Sequence, residues 1–209
     1  MSTRANDSRP PRERLLDAAS ELFYEHGVHT VGIDTIIERA GVAKASLYST
    51  FGSKEELVRA YLEARHAARR AAVLAEMEVH DDPRGKLLAV FDVLDTTVKK
   101  PGFRGCAFAN ASAESEPDSA ATDVTRTVRA WLLGVMAEQA TALGAADPVS
   151  LARQLTLLYD GALAQSRLER GPAAATAAKA AAQVLIDAAA PAERKPRSRP
   201  APAARSIPG

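Results

Sequence analysis

The stretch from Gly32 to Lys54 (GIDTIIERAGVAKASLYSTFGSK) constrains the fold of this 209-residue chain more than any other, because two short segments meet at a glycine within it. Gly41 is well suited to the left-handed backbone that ends a helix. The pattern therefore predicts a helix, a tight turn and a second helix, which is the helix-turn-helix arrangement. Apolar residues of the first segment recur at the i, i+3, i+4 and i+7 positions of one helical face: Ile33, Ile36, Ile37 and Ala40.

The second segment is predicted to be a short helix with one buried side and one exposed side. Val42 and Leu47 can close over the small core of the first segment. A cation, hydroxyl groups and a phenol on the other side can contact phosphates, and small side chains let the backbone approach base edges. A short exposed helix of this kind fits the major groove of DNA. The predicted outward residues are Lys44, Ala45, Ser46, Tyr48, Ser49 and Thr50.

A third helix is predicted to start directly after this segment. Ser53-Lys54-Glu55-Glu56 has the form of a capping box, in which Ser53 caps the helix and Glu56 reaches back. The free N-terminus of such a helix, together with Lys54 in its first turn, forms an anion site. Apolar residues continue at helical spacing as far as Ala75, so we expect this helix to connect the N-terminal part to the rest of the chain.

The run from Ile36 to Leu57 (IIERAGVAKASLYSTFGSKEEL) resembles the signature of the tetracycline-repressor (TetR) family of bacterial regulators. The resemblance covers about residues 12 to 58. It implies that the six outward residues are recognition-helix positions and that Lys54 contacts a DNA phosphate. The remainder of the chain is similar to the family only in its helical character, length and apolar content, which implies a ligand-binding domain.

Three positions depart from the family pattern. Gly32 stands where many members have a hydroxyl residue that caps the first helix, so we expect no side-chain contact to phosphate there. Ala43 stands where a capping Ser or Thr is frequent, and it cannot cap the recognition helix. Thr50 replaces a common aromatic residue, so a hydroxyl contact to phosphate is expected in place of ring packing.

Composition favours an all-α protein, because 46% of the residues are hydrophobic, only 5% are aromatic, and no alternating strand pattern competes. Asp82-Pro83 and Asp147-Pro148 predict capped helix starts, which explains the acidic residues beside His80 without a metal. We expect a disordered arm over 1–10, a three-helix helix-turn-helix DNA-binding domain over 11–58, a helical effector-binding and dimerisation domain over 59–190, and a disordered basic tail over 191–209.

Charge argues against a protein that coats DNA without specificity. The formal net charge is +1, and residues 1–60 contain eight Lys or Arg against nine Asp or Glu. The N-terminal arm either touches DNA or is simply solvated. The sequence shows no signal-peptide h-region and no apolar stretch long enough for a membrane helix, and its one cysteine fits a reducing compartment. These features predict a cytoplasmic protein without membrane contact, metal or cofactor.

The effector site is predicted between the helices of residues 83–143, where four of the ten aromatic residues fall. The region from Phe103 to Glu116 is either a pocket wall or a packed short helix, and the aromatic residues could instead be plain core. Cys106 is either a buried thiol or a redox-reactive one. The candidate effector-binding residues are Phe91, Phe103, Phe108, Asn110, Glu114 and Trp131.

The sequence therefore predicts a homodimeric transcriptional repressor that leaves a palindromic, double-stranded DNA operator when a small, mainly apolar effector binds. Dimerisation is expected through the helices at 148–169 and 172–189, because two-fold symmetry supplies a second half-site. A DNA-bound scaffolding protein without an effector is the alternative. An enzyme is not favoured, since the four histidines form no metal-spaced pair and no nucleophile arrangement is recognisable: His26, His29, His66 and His80.

Overall fold

A computed structural model describes residues 8–191 of the chain, and within that range the fold is entirely helical, as predicted. None of the described helices is long and apolar enough to cross a membrane. The predicted disorder of 1–10 and 191–209 concerns segments that lie mostly outside the described residues. The described helices are α1 (Pro11–His26), α2 (Ile33–Ala40), α3 (Lys44–Phe51), α4 (Lys54–Glu78), α5 (Pro83–Val98), α6 (Ala107–Ala113), α7 (Ala120–Ala142), α8 (Pro148–Glu169) and α9 (Ala173–Ala189).

Helices α5 and α8 begin as the two Asp-Pro pairs predict. The carboxylate of Asp82 accepts a hydrogen bond of 2.9 Å from the Gly85 amide, and Pro83 occupies the first helical position. The carboxylate of Asp147 accepts a bond of the same length from the Ser150 amide. Each aspartate satisfies an amide that the helix itself leaves unpaired. Of the two acidic residues after His80, Asp82 is therefore explained by capping.

Two hydrophobic cores stabilise the molecule, and α4 passes through both of them. Its N-terminal half contributes Leu57 and Tyr61 to the first core, where α1, α2 and α3 also pack. Its C-terminal end contributes Val73 and Met77 to the second core, which α5, α8, α9 and the later part of α7 complete. This 25-residue helix confirms the expected connection between the N-terminal part and the rest of the chain.

The first core also includes residues from much later in the chain. Helix α6 and the start of α7 pack directly against the N-terminal helices, so this core extends beyond the predicted boundary after residue 58. The N-terminal helices therefore depend on a later part of the sequence for burial of their apolar faces. The later contributors are Ala107, Phe108, Ala111, Ala121, Val124 and Val128.

Between the two cores, cationic side chains of α4 pack on aromatic rings. The Arg65 guanidinium lies 3.9 Å from the centre of the Tyr24 ring, and the Arg69 guanidinium lies 4.8 Å from that of Phe108. These geometries allow cation–π attraction. Burial raises the pKa of Tyr61, beside Arg65, to about 12, so this phenol stays neutral at physiological pH. The middle of α4 thus joins the cores through charged and aromatic groups.

The starts of α4 and α7 are tied together by one hydrogen bond. The Glu55 carboxylate accepts from the amide of Ala120, the first residue of α7, at 3.0 Å. Its neighbour Glu56 pairs instead with Arg59 on the same helix, at 3.3 Å. Both glutamates lie in the first turn of α4, so they interact similarly with the dipole of that helix.

We predict that Glu55→Ala lowers the free energy of unfolding by about 1–2 kcal/mol, because it removes a charge-assisted bond to an orphan helix amide. The matched control Glu56→Ala removes an exposed i,i+3 pair and should change it by less than about 0.5 kcal/mol. Urea denaturation of both variants measures the difference. Equal effects of the two substitutions would show that the contact between α4 and α7 contributes nothing.

Candidate nucleic-acid interface

The turn between α2 and α3 has the conformation predicted for Gly41. This glycine has φ 63° and ψ 41°, in the left-handed region. Its amide donates to the Glu38 carbonyl and the Val42 amide donates to the Ile37 carbonyl, both at 3.1 Å. These bonds satisfy carbonyl groups that the end of α2 would otherwise leave unpaired. The turn therefore fixes the direction in which α3 leaves α2.

Arg14 of α1 holds the same turn from the other side, and sequence reasoning missed it. Its Nε donates to the Ala40 carbonyl at 2.9 Å, and its Nη2 donates to the Gly41 carbonyl. A Cβ at Gly41 would lie 2.7 Å from Arg14 Nη2, so a side chain there would displace the guanidinium from this contact. Nothing in the local pattern distinguishes Arg14 from Arg12, which packs over the Phe51 ring. Only the folded geometry identifies its role.

Helix α3 presents one side to solvent, in agreement with the predicted outward set. Leu47 is fully buried against α1 and α2, whereas Tyr48 is 46% exposed. Neither Gly32 nor Ala43 provides a side-chain cap, which confirms the expected departures at the starts of α2 and α3. Four of the six outward residues are exposed: Lys44, Ala45, Tyr48 and Ser49. The other two, Ser46 and Thr50, are half-buried.

Lys44 is paired with a carboxylate of the preceding helix. Its Nζ lies 3.0 Å from Oδ1 of Asp34, and both side chains are more than half exposed. The hydrogen bond and charge of Asp34 raise the pKa of Lys44, so the amine is fully protonated at neutral pH. Because an exposed ion pair of this kind is weak, a DNA phosphate could replace Asp34 at little cost.

Lys54 points toward the connection between α1 and α2. Its Nζ donates to the His29 carbonyl at 3.3 Å, and burial lowers its pKa against the opposing charge of Glu114. Glu114 in turn accepts from the His29 amide at 3.0 Å. The Ser53 hydroxyl caps α4 by accepting from the Glu56 amide at 3.1 Å, whereas Glu56 pairs with Arg59 and does not reach back. The phosphate contact of Lys54 stays a prediction.

The six candidate effector residues do not surround one cavity. Phe91 is buried in the second core and Phe108 in the first. Trp131 packs edge-on against the ring of His66, with the ring centres 5.2 Å apart. Phe103 lines a cavity of about 670 Å³ beside α8. Asn110 and Glu114 line a different cleft, of about 280 Å³, beside α1.

The region from Phe103 to Glu116 contains a packed short helix, α6, whose apolar side belongs to the first core. Cys106 immediately precedes this helix and is partly exposed. The assignment of the six residues to an effector and the redox reactivity of Cys106 stay predictions. In the described part of the chain, no three His, Cys, Asp or Glu side chains are grouped so that they could hold a metal ion.

Comparison with known proteins agrees with this architecture. The family profile described as bacterial regulatory proteins of the tetR family matches residues 15–61. A crystal structure of a TetR-family transcriptional regulator from Streptomyces coelicolor is 33% identical, with a TM-score of 0.82 over 86% of this chain and 95% of that one. A TetR regulator from Streptomyces avermitilis is 35% identical, with a TM-score of 0.78 over 87% of this chain and 98% of that one.

Curated relatives match over a shorter stretch. The chain is 40% identical over 81 residues to the transcriptional activator FasR of Mycolicibacterium smegmatis, which is 39% of this chain and 37% of that protein. The matched stretch spans between a third and a half of the length of this relative and of the transcriptional regulator TtgR of Pseudomonas putida. The two solved structures, in contrast, match nearly end to end at more than 30% identity. The chain therefore belongs to the TetR family of transcriptional regulators, a family of DNA-binding proteins and not of enzymes.

Proposed function

We propose that this protein is a homodimeric transcriptional repressor that binds a near-palindromic operator through α3 and leaves it when an effector binds. The observation that carries the proposal is the geometry of α3. Leu47 anchors this helix in the first core, while Lys44, Tyr48 and Ser49 face solvent beside it. A short helix that presents a cation, a phenol and a hydroxyl can enter a major groove.

The positive charge of α3 comes from a single side chain that is already paired. Lys44 is its only cation, and Asp34 occupies that cation in the DNA-free state. Exchange of the carboxylate for a phosphate would therefore accompany binding. The need to break the Lys44–Asp34 pair weakens binding to DNA of any sequence, because it offsets part of the attraction between Lys44 and a phosphate. It favours sites where Tyr48 and Ser49 also find partners, which is how a specific reader differs from a coating protein.

Dimerisation is supported by an apolar strip on the outer side of α8 and α9. On α8, Leu157 and Leu168 are 69% and 75% exposed, with Gly161 between them at helical spacing. On α9, Val184 is 68% exposed. Exposed leucines aligned on packed helices are typical of a surface that another copy covers. Two-fold pairing there would place two α3 helices for the two halves of a palindrome.

The effector response is supported by the shared first core. Helix α6 and the start of α7 pack with α1–α4, so a ligand that displaces them must also disturb the N-terminal helices. Such a ligand has to bind the DNA-incompetent arrangement more tightly, since equal affinity for both arrangements shifts nothing.

A mainly apolar effector is proposed to bind beside His66 and Trp131, between the two cores. His66 Nδ1 and Arg65 Nε are buried there and have no hydrogen-bond partner in the described part of the chain. Trp131 lies against His66, and Phe108 lies against Arg69 one turn further along α4. An apolar molecule with one polar group would fit this combination, because unpaired buried polar atoms are costly.

A screen for compounds that release the protein from its operator tests the effector response. The operator itself can be obtained by selection from random DNA. Release by a compound that binds near Trp131, and loss of that release in Trp131→Ala, would support the proposal. A DNA affinity that no compound alters would favour the alternative of a scaffolding protein. A reporter gene behind the operator then distinguishes repression from activation.

We predict that Asp34→Asn tightens operator binding about three- to tenfold at low salt, because it frees Lys44 for phosphate. Lys44→Ala should weaken binding and alter base preference, with a salt slope flatter by about one unit. Fluorescence anisotropy over a salt series measures both. Glu38→Gln is the control, since it removes the same charge from an exposed side chain of the same helix. If it tightens binding as much as Asp34→Asn does, the pairing with Lys44 is irrelevant.

We predict that Leu157→Glu converts the dimer into a monomer, because a carboxylate in the middle of the apolar strip would be buried without a partner. Analytical ultracentrifugation measures the change, and operator affinity should fall with it. Val79→Glu is the control, because Val79 is 74% exposed at the end of α4, away from the strip. A Leu157→Glu protein that remains folded and dimeric would move the interface elsewhere.

A further inference from the structure

The cavity beside Phe103 is lined by several cationic side chains. It occupies about 670 Å³ where the connection between α5 and α6 meets the connection between α8 and α9. No carboxylate of the described residues lines it, although acidic and basic residues are nearly equal in number over the whole chain. Five cationic side chains line it: Lys99, Lys100, Arg104, Arg167 and Arg170.

Some of these cations already have partners. The Lys99 amine pairs with Asp95 one turn earlier on α5, and Arg104 lies 3.7 Å from a carboxylate oxygen of Glu25. Arg167 donates to the amide oxygen of Asn110 at 2.8 Å, which leaves its charge without a counter-charge. Lys100 and Arg170 have no ion-pair partner among residues 8–191. The wall of the cavity therefore carries positive charge that no residue of the described range 8–191 neutralises.

A buried hydroxyl in the same wall has no hydrogen-bond partner. Ser166 is only 1% exposed, and its Oγ bonds to nothing in the described part of the chain. A buried hydroxyl is costly when it is left unpaired, and most such groups in native proteins are paired. Ser166 lines the cavity, so its unpaired hydroxyl lies in the wall beside the place that a ligand would occupy.

The start of α9 adds further donors. Gly171 and Pro172 line the cavity, and α9 begins directly after them without a side-chain cap. The Thr176 amide donates to the Pro172 carbonyl, which is the first intrahelical bond of α9. The amides that precede Thr176 in the first turn donate no hydrogen bond to a capping side chain. The N-terminus of a 17-residue helix attracts anions through these amides and through the helix dipole.

The conformation of Arg170 is the last relevant observation. It has φ 55° and ψ 38°, the left-handed conformation in which glycine is preferred, although Gly171 comes immediately afterwards. Cations near the ends of α5 and α8 would also complement the negative poles of these helices. That explanation covers Lys99 and Arg167, but it does not account for the unpaired Ser166 hydroxyl or the uncapped start of α9.

We propose that this cavity binds an organic anion. Its carboxylate or phosphate group is held by Ser166, Arg170 and the start of α9, and its apolar part lies against Val98 and Phe103. The site is separate from the DNA-binding face of α3 and from the space between the cores. It does not depend on the proposed repressor function, because binding of the anion can be measured without DNA.

Isothermal titration calorimetry on the full-length protein tests the proposal with three probes. Decanoate has an anionic head and an apolar body, 1-decanol has the same body without the charge, and inorganic phosphate has the charge alone. Decanoate should bind once per chain and more weakly at high salt, and 1-decanol should not bind. Phosphate binding as tight as that of decanoate would show that only the anionic head group is bound, and would overturn the proposed contact of the apolar part with Val98 and Phe103. Absence of binding by both anions, or equal binding of 1-decanol, would overturn the proposal.

Two substitutions test where the anion binds and should leave the fold intact. Ser166→Ala removes a hydroxyl that has no partner among residues 8–191, and Arg170→Gly places glycine where the backbone is left-handed, so both variants should keep or raise the melting temperature. Each should weaken anion binding roughly tenfold, which is typical for loss of one hydrogen bond to a charged group. Arg70→Ala is the control, since Arg70 is exposed on α4 away from the cavity. Unchanged affinity in both test variants would refute the site.

Discussion

The first hydrophobic core is the constraint on which the rest of this structure depends. It buries the inner faces of α1–α4 against α6 and the start of α7, so the helix-turn-helix is packed on elements that come 50 residues or more after it in the sequence. Leu47 anchors α3 in this core, and Arg14 fixes the turn before α3 through the carbonyls of Ala40 and Gly41. The position of the exposed face of α3 is therefore set by α1, α2 and α4 together with α6 and the start of α7.

This packing gives the proposed effector response a physical route to the DNA-binding helices. Helix α6 carries Phe108 into the first core, and Glu114 at its end contacts the His29 amide between α1 and α2. Lys54 donates to the carbonyl of the same residue, so a shift of α6 changes the surroundings of a predicted phosphate contact. Interdomain contacts made by single side chains, such as that of Glu55 with Ala120, add to the coupling. A closely packed protein interior has low compressibility, so a displacement of one helix is passed on to the helices that pack against it.

The sequence predicted the local structure well, because local structure depends on residues near each other in the chain. Gly41, Ser53, Asp82 and Asp147 all end or start helices as their chemistry indicates. It did not predict Arg14, whose partners lie 26 and 27 residues away, or the extension of the first core to α6 and α7. Four of the six candidate effector residues were chosen for their aromatic rings, and aromatic content does not show which core receives Phe91 and which receives Phe108.

Hydrogen exchange on the full-length protein tests most directly whether α6 and α7 hold the helix-turn-helix in place. Phe108→Ala should destabilise the first core by about 3–5 kcal/mol. We predict that amides of α1–α3 then lose protection together with those of α6, because these helices share one core. Leu155→Ala in the second core is the control and should leave protection in α1–α3 higher than Phe108→Ala does. Loss of protection confined to α6 in the Phe108→Ala protein would contradict the account.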